Sequence, residues 1–161
     1  EFDDLETGEI YRFRDWPVSA VPRYAAGVYT VWDEEERFIY VGMAGRGADA
    51  STIIRWSKEG LPPKGLWQRL NAHASGRRSG DQFCIYVADR LVLPRLTPAQ
   101  LIGISEGTER FDSLVRRYIR EHLGFRFRRT DDGAGALESE RKIRVGALRV
   151  GAPSLNPANA E

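Results

Sequence analysis

The 161-residue sequence contains one cysteine, Cys84, and two histidines, His73 and His122. A single thiol excludes an internal disulfide and any structural zinc site built from several thiolates. Two histidines exclude a multi-histidine metal centre. Any metal bound by this chain must therefore rely mainly on oxygen ligands, which favours magnesium, manganese or calcium over zinc.

The sequence also has no run of about twenty apolar residues, the length that a membrane-spanning helix needs. Its amino terminus, EFDDLETGE, is acidic and does not resemble a signal peptide. These features predict a soluble cytoplasmic protein without membrane contact. Lysine is scarce, with three lysines against 21 arginines at a net charge of +1. Clustered arginines are candidate phosphate contacts, although solvated helix faces carry similar clusters.

Residues 27–42, GVYTVWDEEERFIYVG, predict a β-hairpin. β-branched and aromatic residues fill both arms, and an acidic turn, DEEER, separates them. Each arm has a tyrosine close to a glycine, so strand pairing would bring Tyr29 and Tyr40 to neighbouring places on the sheet. Taken alone, such tyrosines are typical of ordinary half-buried strands.

The rest of the chain predicts one α+β domain of the broader mixed α/β class. Residues 1–25 form an extended lead-in, residues 26–157 the domain, and residues 158–161 a tail. A helical segment at about residues 48–64 is an insertion, with a helix over 52–59 whose N-cap is predicted to be Ser51. A further helix begins near Leu66 and ends at Gly76, and it places Arg69 and His73 on one face because they are four residues apart.

Four more segments complete the prediction. QFCIYVADRLVL is predicted as the third strand, with Cys84 as a buried small residue. Two helices are predicted within residues 97–123, GFRFRRT is predicted as a short edge strand, and a last helix covers about residues 134–148. In that helix Glu140 shares a stripe with Ala136, Ile143 and Ala147, so its carboxylate points inward, where it must be protonated, paired or bound to a cation.

This ordered set of motifs resembles the GIY-YIG nuclease superfamily over residues 27–157. The matching pieces are Gly27-Val28-Tyr29, Tyr40-Val41-Gly42, Arg69 with His73 on the next helix, an inward glutamate late in the chain, and Asn156. Valine replaces isoleucine in both signatures, which conserves side-chain shape. The span between Gly42 and Arg69 is longer than in the minimal family domain, as is typical of the restriction-enzyme branch.

The resemblance implies a small three-stranded antiparallel sheet flanked by helices. It also implies a metal-dependent endonuclease that hydrolyses DNA phosphodiester bonds, with Mg²⁺ or Mn²⁺ as cofactor and double-stranded DNA as partner. Restriction, defence and mobile-element enzymes are the expected biological types. Sequence specificity would come from the insertion and loops, or from a homodimer.

The resemblance also implies a role for each matching residue. Tyr29 would be the general base or would orient the attacking water, and Tyr40 would contact phosphate or water beside it. Arg69 would stabilise the charge of the transition state. His73 would support Tyr29 or touch the leaving side. Glu140 would bind the metal, and Asn156 would brace the site.

Two alternatives remain open from the sequence. Glu138 follows Ala-Leu, as the metal ligand of the family often does, whereas Glu140 has the better apolar spacing on its helix. The function itself has two alternatives: a catalytically silent nucleic-acid-binding module that keeps the fold, and a toxin or RNA-directed nuclease domain. Comparing cleavage of RNA and DNA separates the last of these from a DNA endonuclease.

Overall fold

Three strands of seven to nine residues form the centre of the fold. The computed structural model describes residues 1–157. Its strands are β1 (Tyr11–Arg12), β2 (Tyr24–Trp32), β3 (Phe38–Ala44), β4 (Lys64–Gly65) and β5 (Gly124–Thr130). The main sheet is antiparallel in the order β1-β5-β2-β3, and the short β4 pairs with β2 in parallel. The sheet therefore has five strands rather than the predicted three.

Helices cover both faces of this sheet, and the predicted α+β class is confirmed. The seven α-helices in residues 1–157 are α1 (Asp3–Glu6), α2 (Ala50–Lys58), α3 (Leu66–Ser75), α4 (Gln82–Val87), α5 (Pro98–Glu106), α6 (Phe111–His122) and α7 (Gly133–Arg144). No helix in this part of the chain is long and apolar enough to cross a membrane.

Each face of the sheet has its own apolar core. On one face, α3, α4 and α6 pack against the sheet, and Leu70, Phe83 and Ile119 are fully buried there. On the other face, α1 and α7 contribute Leu5 and Ile143 to a smaller core. The sheet is thus held between two helical layers, because both faces of β2 are apolar.

The hairpin of β2 and β3 forms as the sequence predicts, with its turn over residues 33–37. Asp33 closes this turn by accepting a hydrogen bond from Arg37 N at 2.9 Å. Tyr29 pairs with Gly42 in the register. A Cβ atom at position 42 would overlap the Tyr29 hydroxyl, so only glycine leaves room for this ring. Tyr29 and Tyr40 therefore lie side by side, with ring centroids 6.5 Å apart.

The segment predicted as the third strand, QFCIYVADRLVL, is helical, so that prediction was wrong. It forms α4, a π-helical turn over Ala88–Val92 and a 3₁₀ turn over Leu93–Arg95. The Asp81 side chain caps α4 by accepting a hydrogen bond from Cys84 N. Phe83, Cys84, Val87 and Ala88 are buried. This is helical spacing, whereas a strand would bury alternate residues.

β5 takes the place of that missing strand, and it is an inner strand rather than the predicted edge strand. It pairs with β1 on one side and β2 on the other. Its arginines are tolerated because the amino-terminal segment covers them. Arg126 donates to Gly8 O at 2.8 Å, and Arg128 donates to the carboxylate of Asp4.

The remaining helices lie close to their predicted positions, with differences at the ends. α2 is capped by Asp49, which accepts a hydrogen bond from Thr52 N at 2.7 Å, and not by Ser51. α3 ends at Gly76 in a left-handed conformation, as predicted. α7 ends at Arg144, four residues before the predicted end at 148.

Candidate active site

An open cleft of about 600 Å³ lies beside the hairpin and brings together four of the residues singled out from the sequence. Tyr29 and Tyr40 reach it from β2 and β3, Arg69 from α3, and Glu140 from α7. The same cleft is lined by further residues from the loop after β3, from α2, β4 and α7, namely Arg46, Trp56, Lys64 and Arg144. Residues far apart in the chain thus converge on one surface.

Tyr29 lines the cleft, although the accessible surface of the residue is 0%. Burial raises the pKa of the Tyr29 phenol well above 10.0, and the neighbouring Tyr40 adds to the rise. The charge of Arg69 acts in the opposite direction. The phenol is therefore protonated at neutral pH, and its proton can leave only if a nearby group receives it.

Tyr40 is less enclosed than Tyr29 and faces the same cleft. Burial raises the pKa of Tyr40 to about 12, against an opposing effect of the Arg69 charge. Tyr40 is thus a hydrogen-bond donor at neutral pH rather than a base. Its edge packs against the rings of His73 and Phe83, which fixes its position.

His73 lies behind Tyr29 and not in the cleft. Its Nε2 is 2.6 Å from the Tyr29 hydroxyl, and its Nδ1 is 2.7 Å from Asp81 Oδ2. The ring is fully buried, and burial lowers the pKa of His73 below 6.5 although Asp81 opposes this effect. Of the two roles considered for His73, its position suits support of Tyr29, because it has no contact with the cleft.

Arg69 is half-buried at the base of the cleft, one helical turn before His73 on α3. Its positive charge acts to lower the pKa of both tyrosines, and so reduces the rise that burial causes. No carboxylate within residues 1–157 forms an ion pair with Arg69 at 4.0 Å or less. Its guanidinium is therefore available to an anion in the cleft.

Glu140 points into the cleft from α7, and only 4% of its surface is exposed. Arg144, one turn later, forms an ion pair with its carboxylate. Glu138, by contrast, is on the solvent side, where its carboxylate is 2.9 Å from Lys142 Nζ. Glu140 and Glu138 thus differ in direction, although only two positions separate them.

Asn156 lies outside the cleft, against the edge of β3. Its Nδ2 donates to Val41 O at 2.9 Å, and its Oδ1 accepts from Val41 N at 2.8 Å. Val41 lies between Tyr40 and Gly42, so Asn156 holds the part of β3 that lines the cleft. The predicted tail, residues 158–161, lies outside the described residues.

The donor set of the cleft suits a hard cation of the Mg²⁺ or Mn²⁺ kind. Glu140 is the one acidic side chain that lines it in the described part of the chain. No three His, Cys, Asp or Glu side chains converge on one point within residues 1–157. One or two carboxylates completed by substrate phosphates and water are how magnesium is usually held. Glu140 therefore fits such an ion when a phosphate is present and its ion pair with Arg144 opens.

The sequence motifs do not identify several residues of the site. Asp81 has a detectable signal, because an aspartate before an apolar run is typical of a helix cap. Arg46, Trp56 and Lys64 belong to the glycine-rich loop and insertion, where no periodicity marks them. Arg144 is four residues after Glu140 on the same helix face, which is the spacing of an ion pair.

Comparison of the chain with protein-family models, curated proteins and solved structures gave no match.

Proposed function

We propose that this protein is a divalent-metal-dependent endonuclease that hydrolyses phosphodiester bonds in double-stranded DNA. The convergence of Tyr29, Tyr40, Arg69 and Glu140 on one cleft is the observation that supports it most. The GIY-YIG resemblance assigns this chemistry to the same four residues. A restriction, defence or mobile-element role in the cytoplasm is the biological setting that we propose.

The charge of the cleft suits a polyanionic substrate. Arg46, Lys64, Arg69 and Arg144 line it, and the one acidic side chain among its described lining residues is Glu140. Phosphate groups neutralise such clustered cations and release counterions, which favours binding. Trp56 adds an aromatic ring to the lining. The cleft is open, as a duplex requires, and a homodimer would present two such clefts for cutting both strands.

In the proposed reaction, the chain positions the phosphate and manages one proton. Arg69 stabilises the extra negative charge that develops on the phosphate oxygens in the transition state. Tyr40 donates a hydrogen bond to a phosphate oxygen or to the attacking water. Tyr29 receives the proton of that water as its own proton moves to His73. Glu140 would hold the ion, which polarises the phosphate when bound.

The test compares two isosteric substitutions on the same helix. Glu140→Gln removes the cleft carboxylate, whereas Glu138→Gln removes a solvent-exposed carboxylate two positions away. We expect Glu140→Gln to lower the rate of plasmid cleavage with Mg²⁺ or Mn²⁺ by at least about 100-fold. Glu138→Gln should stay within a few-fold of wild type.

Other outcomes would change the assignment. Loss of cleavage in Glu138→Gln but not in Glu140→Gln would move the metal to Glu138. Salt-sensitive DNA binding without cleavage by the wild-type protein would indicate the silent binding module. The ion pair between Glu140 and Arg144 favours this alternative, because a carboxylate paired with arginine is not free to bind a metal ion. Cleavage of RNA in preference to duplex DNA would indicate the RNA-directed nuclease.

A further inference from the structure

A buried chain of three side chains lies directly behind the cleft. It runs from the Tyr29 hydroxyl to His73 Nε2 at 2.6 Å, and from His73 Nδ1 to Asp81 Oδ2 at 2.7 Å. Accessible surface is 0% for Tyr29 and His73 and 4% for Asp81. Both distances are short, and burial strengthens hydrogen bonds of this kind.

The direction of both hydrogen bonds is set at the Asp81 end. Hydrogen bonds from His73 and Cys84 hold the pKa of Asp81 below its usual value, against the effect of burial, and the carboxylate is therefore ionised at neutral pH. An ionised carboxylate can only accept hydrogen bonds. Oδ2 faces His73 Nδ1, and Oδ1 accepts from Cys84 N at 3.1 Å. His73 Nδ1 must therefore carry a hydrogen.

We propose that Asp81 is a positioning residue that fixes His73 in the Nδ1–H tautomer, so that its Nε2 is free to accept the proton of Tyr29. The neutral imidazole carries one hydrogen, and with Nδ1 occupied the Nε2 lone pair points at the tyrosine hydroxyl. This inference concerns the mechanism of the proposed nuclease and rests on that function for its catalytic meaning.

The proton transfers balance within the site. The Tyr29 O–H bond breaks and a His73 Nε2–H bond forms, while the tyrosine oxygen takes a proton from the attacking water. The water oxygen then forms its bond to phosphorus, the bond to the leaving oxygen breaks, and the leaving alkoxide takes a proton from solvent. The site ends with a neutral Tyr29 and an imidazolium beside Asp81. After the product leaves, His73 Nε2 returns its proton to the Tyr29 oxygen as the Tyr29 hydroxyl proton passes to water in the cleft.

Charge compensation is already present around this chain. Before transfer, the charged groups are the Asp81 carboxylate and the Arg69 guanidinium, which acts on Tyr29, His73 and Asp81. After transfer to His73, the imidazolium is adjacent to the Asp81 carboxylate. No isolated charge is created in the buried region, which lowers the barrier to moving the proton.

Asp81 also caps α4, so it could act only by stabilising that helix, in which case its loss would leave the tautomer of His73 unchanged. Asp81→Asn separates the two roles. The aspartate has two acceptor oxygens for two N–H donors, whereas asparagine has one oxygen. If that oxygen keeps the cap at Cys84 N, the amide NH₂ faces His73 Nδ1, which must then be an acceptor. The ring would change to the Nε2–H tautomer.

The tautomer is measured by ¹⁵N NMR on histidine-labelled protein without any substrate. The chain has two histidines, so His122→Gln assigns the His73 signals by difference. We expect the Nδ1–H form in wild type and the Nε2–H form in Asp81→Asn. Asp132→Asn is the matched control, because Asp132 caps α7 through Gly135 N at 2.8 Å and has no contact with His73.

Tyr29→Phe is the second variant, and it decides the result if Asp81→Asn does not fold. It removes the partner of Nε2 and leaves Asp81 intact. A retained Nδ1–H tautomer shows that Asp81 sets it, and a mixed population overturns the proposal. A wild-type Nε2–H form overturns it as well, and so does a folded Asp81→Asn protein that keeps Nδ1–H while its asparagine oxygen still accepts from Cys84 N.

Cleavage assays test whether the tautomer of His73 matters for catalysis. We expect Asp81→Asn to lower the rate by roughly 100-fold or more, with an altered pH profile, while Asp132→Asn cleaves at the wild-type rate. If Asp81→Asn changes the tautomer but cleaves at the wild-type rate, the tautomer of His73 does not matter for catalysis. If the wild-type protein cuts nothing, the proposed function fails, and the NMR result still decides the positioning role.

Discussion

Tyr29 and Tyr40 show, at the scale of single residues, how the same side chain acquires different properties from its surroundings. Tyr40 packs beside the cleft, whereas Tyr29 is enclosed and bonded to His73. The hairpin pattern predicts both tyrosines as strand residues, because aromatic side chains favour strands. It does not predict the histidine contact, which depends on the packing of α3 against β2.

Glu140 and Asp81 mark the limit of residue-level prediction. The helical phase of α7 is enough to turn Glu140 inward and Glu138 outward, since direction repeats every 3.6 residues. Asp81 lies eight positions after His73, in a loop between helices, and no periodicity links the two. Their contact arises because Gly76 ends α3 and the chain then turns back.

His73 is expected to make the stability of the protein depend on pH. Burial lowers its pKa in the folded state, so the unfolded chain binds the proton more tightly. Stability from this group is therefore complete above about pH 6.5 and falls as the pH drops below that value. The slope is at most about 1.4 kcal/mol per pH unit for one proton. The groups facing the ring are Tyr29, Tyr40, Arg69 and Asp81.

The measurement is the free energy of unfolding in urea at about pH 7.5 and about pH 5.5, a range that spans the reference pKa of histidine. We expect wild type and His122→Gln to lose stability at the lower pH, because both keep His73. His73→Gln should show little change between the two values. Equal stability of wild type at both values would contradict this expectation.

At the scale of secondary structure, α4 is the clearest case of local preference overruled by context. QFCIYV is rich in strand-forming residues. The Asp81 cap and the burial of Phe83, Cys84 and Val87 on one helical face stabilise a helix instead. The arginines of β5 suggest an exposed edge strand, because the contacts of Arg126 and Arg128 with the amino-terminal segment cannot be seen before folding.

The contact of Asn156 with β3 is the element-scale feature with the sharpest test. Asn156→Ala removes both hydrogen bonds to Val41, and it leaves the partly buried N–H and C=O of that residue without partners. We expect the free energy of unfolding to fall by about 1–3 kcal/mol. Amide exchange at Val41 should also become faster.

Ser154→Ala is the control for this substitution. Ser154 is in the same segment, its side chain is exposed, and its contact with Arg90 uses only the backbone carbonyl. It should change stability by less than about 0.5 kcal/mol. Equal effects of the two substitutions would show that the segment, rather than the Asn156 amide, stabilises β3.

At the scale of the whole molecule, charge is distributed unevenly. The net charge is only +1, yet the cleft has four cationic side chains among its lining residues. Elsewhere many arginines are paired within the chain, such as Arg78 with Asp112 and Arg149 with Glu6. A net charge near zero is therefore compatible with a positive local field at the cleft, and such a field attracts anions.

This field predicts salt-sensitive binding of duplex DNA, measured with the Glu140→Gln protein to prevent cleavage. A plot of log binding constant against log salt concentration should have a negative slope. Arg46→Gln should make that slope shallower by about 1, because one phosphate contact is lost. The control is Arg55→Gln, since Arg55 on α2 pairs with Glu59 just after that helix and does not line the cleft.

The segment at residues 155–156 also bears on how copies of this protein behave beside one another. β3 is at the end of the strand order, so its outer backbone groups would otherwise be open to pairing. Leu155 N donates to Ile39 O at 2.8 Å, and the Asn156 amide occupies both polar groups of Val41. An open strand edge is a template for aggregation. The contacts of Leu155 and Asn156 thereby also cover the part of the β3 edge at which a neighbouring molecule would extend the sheet.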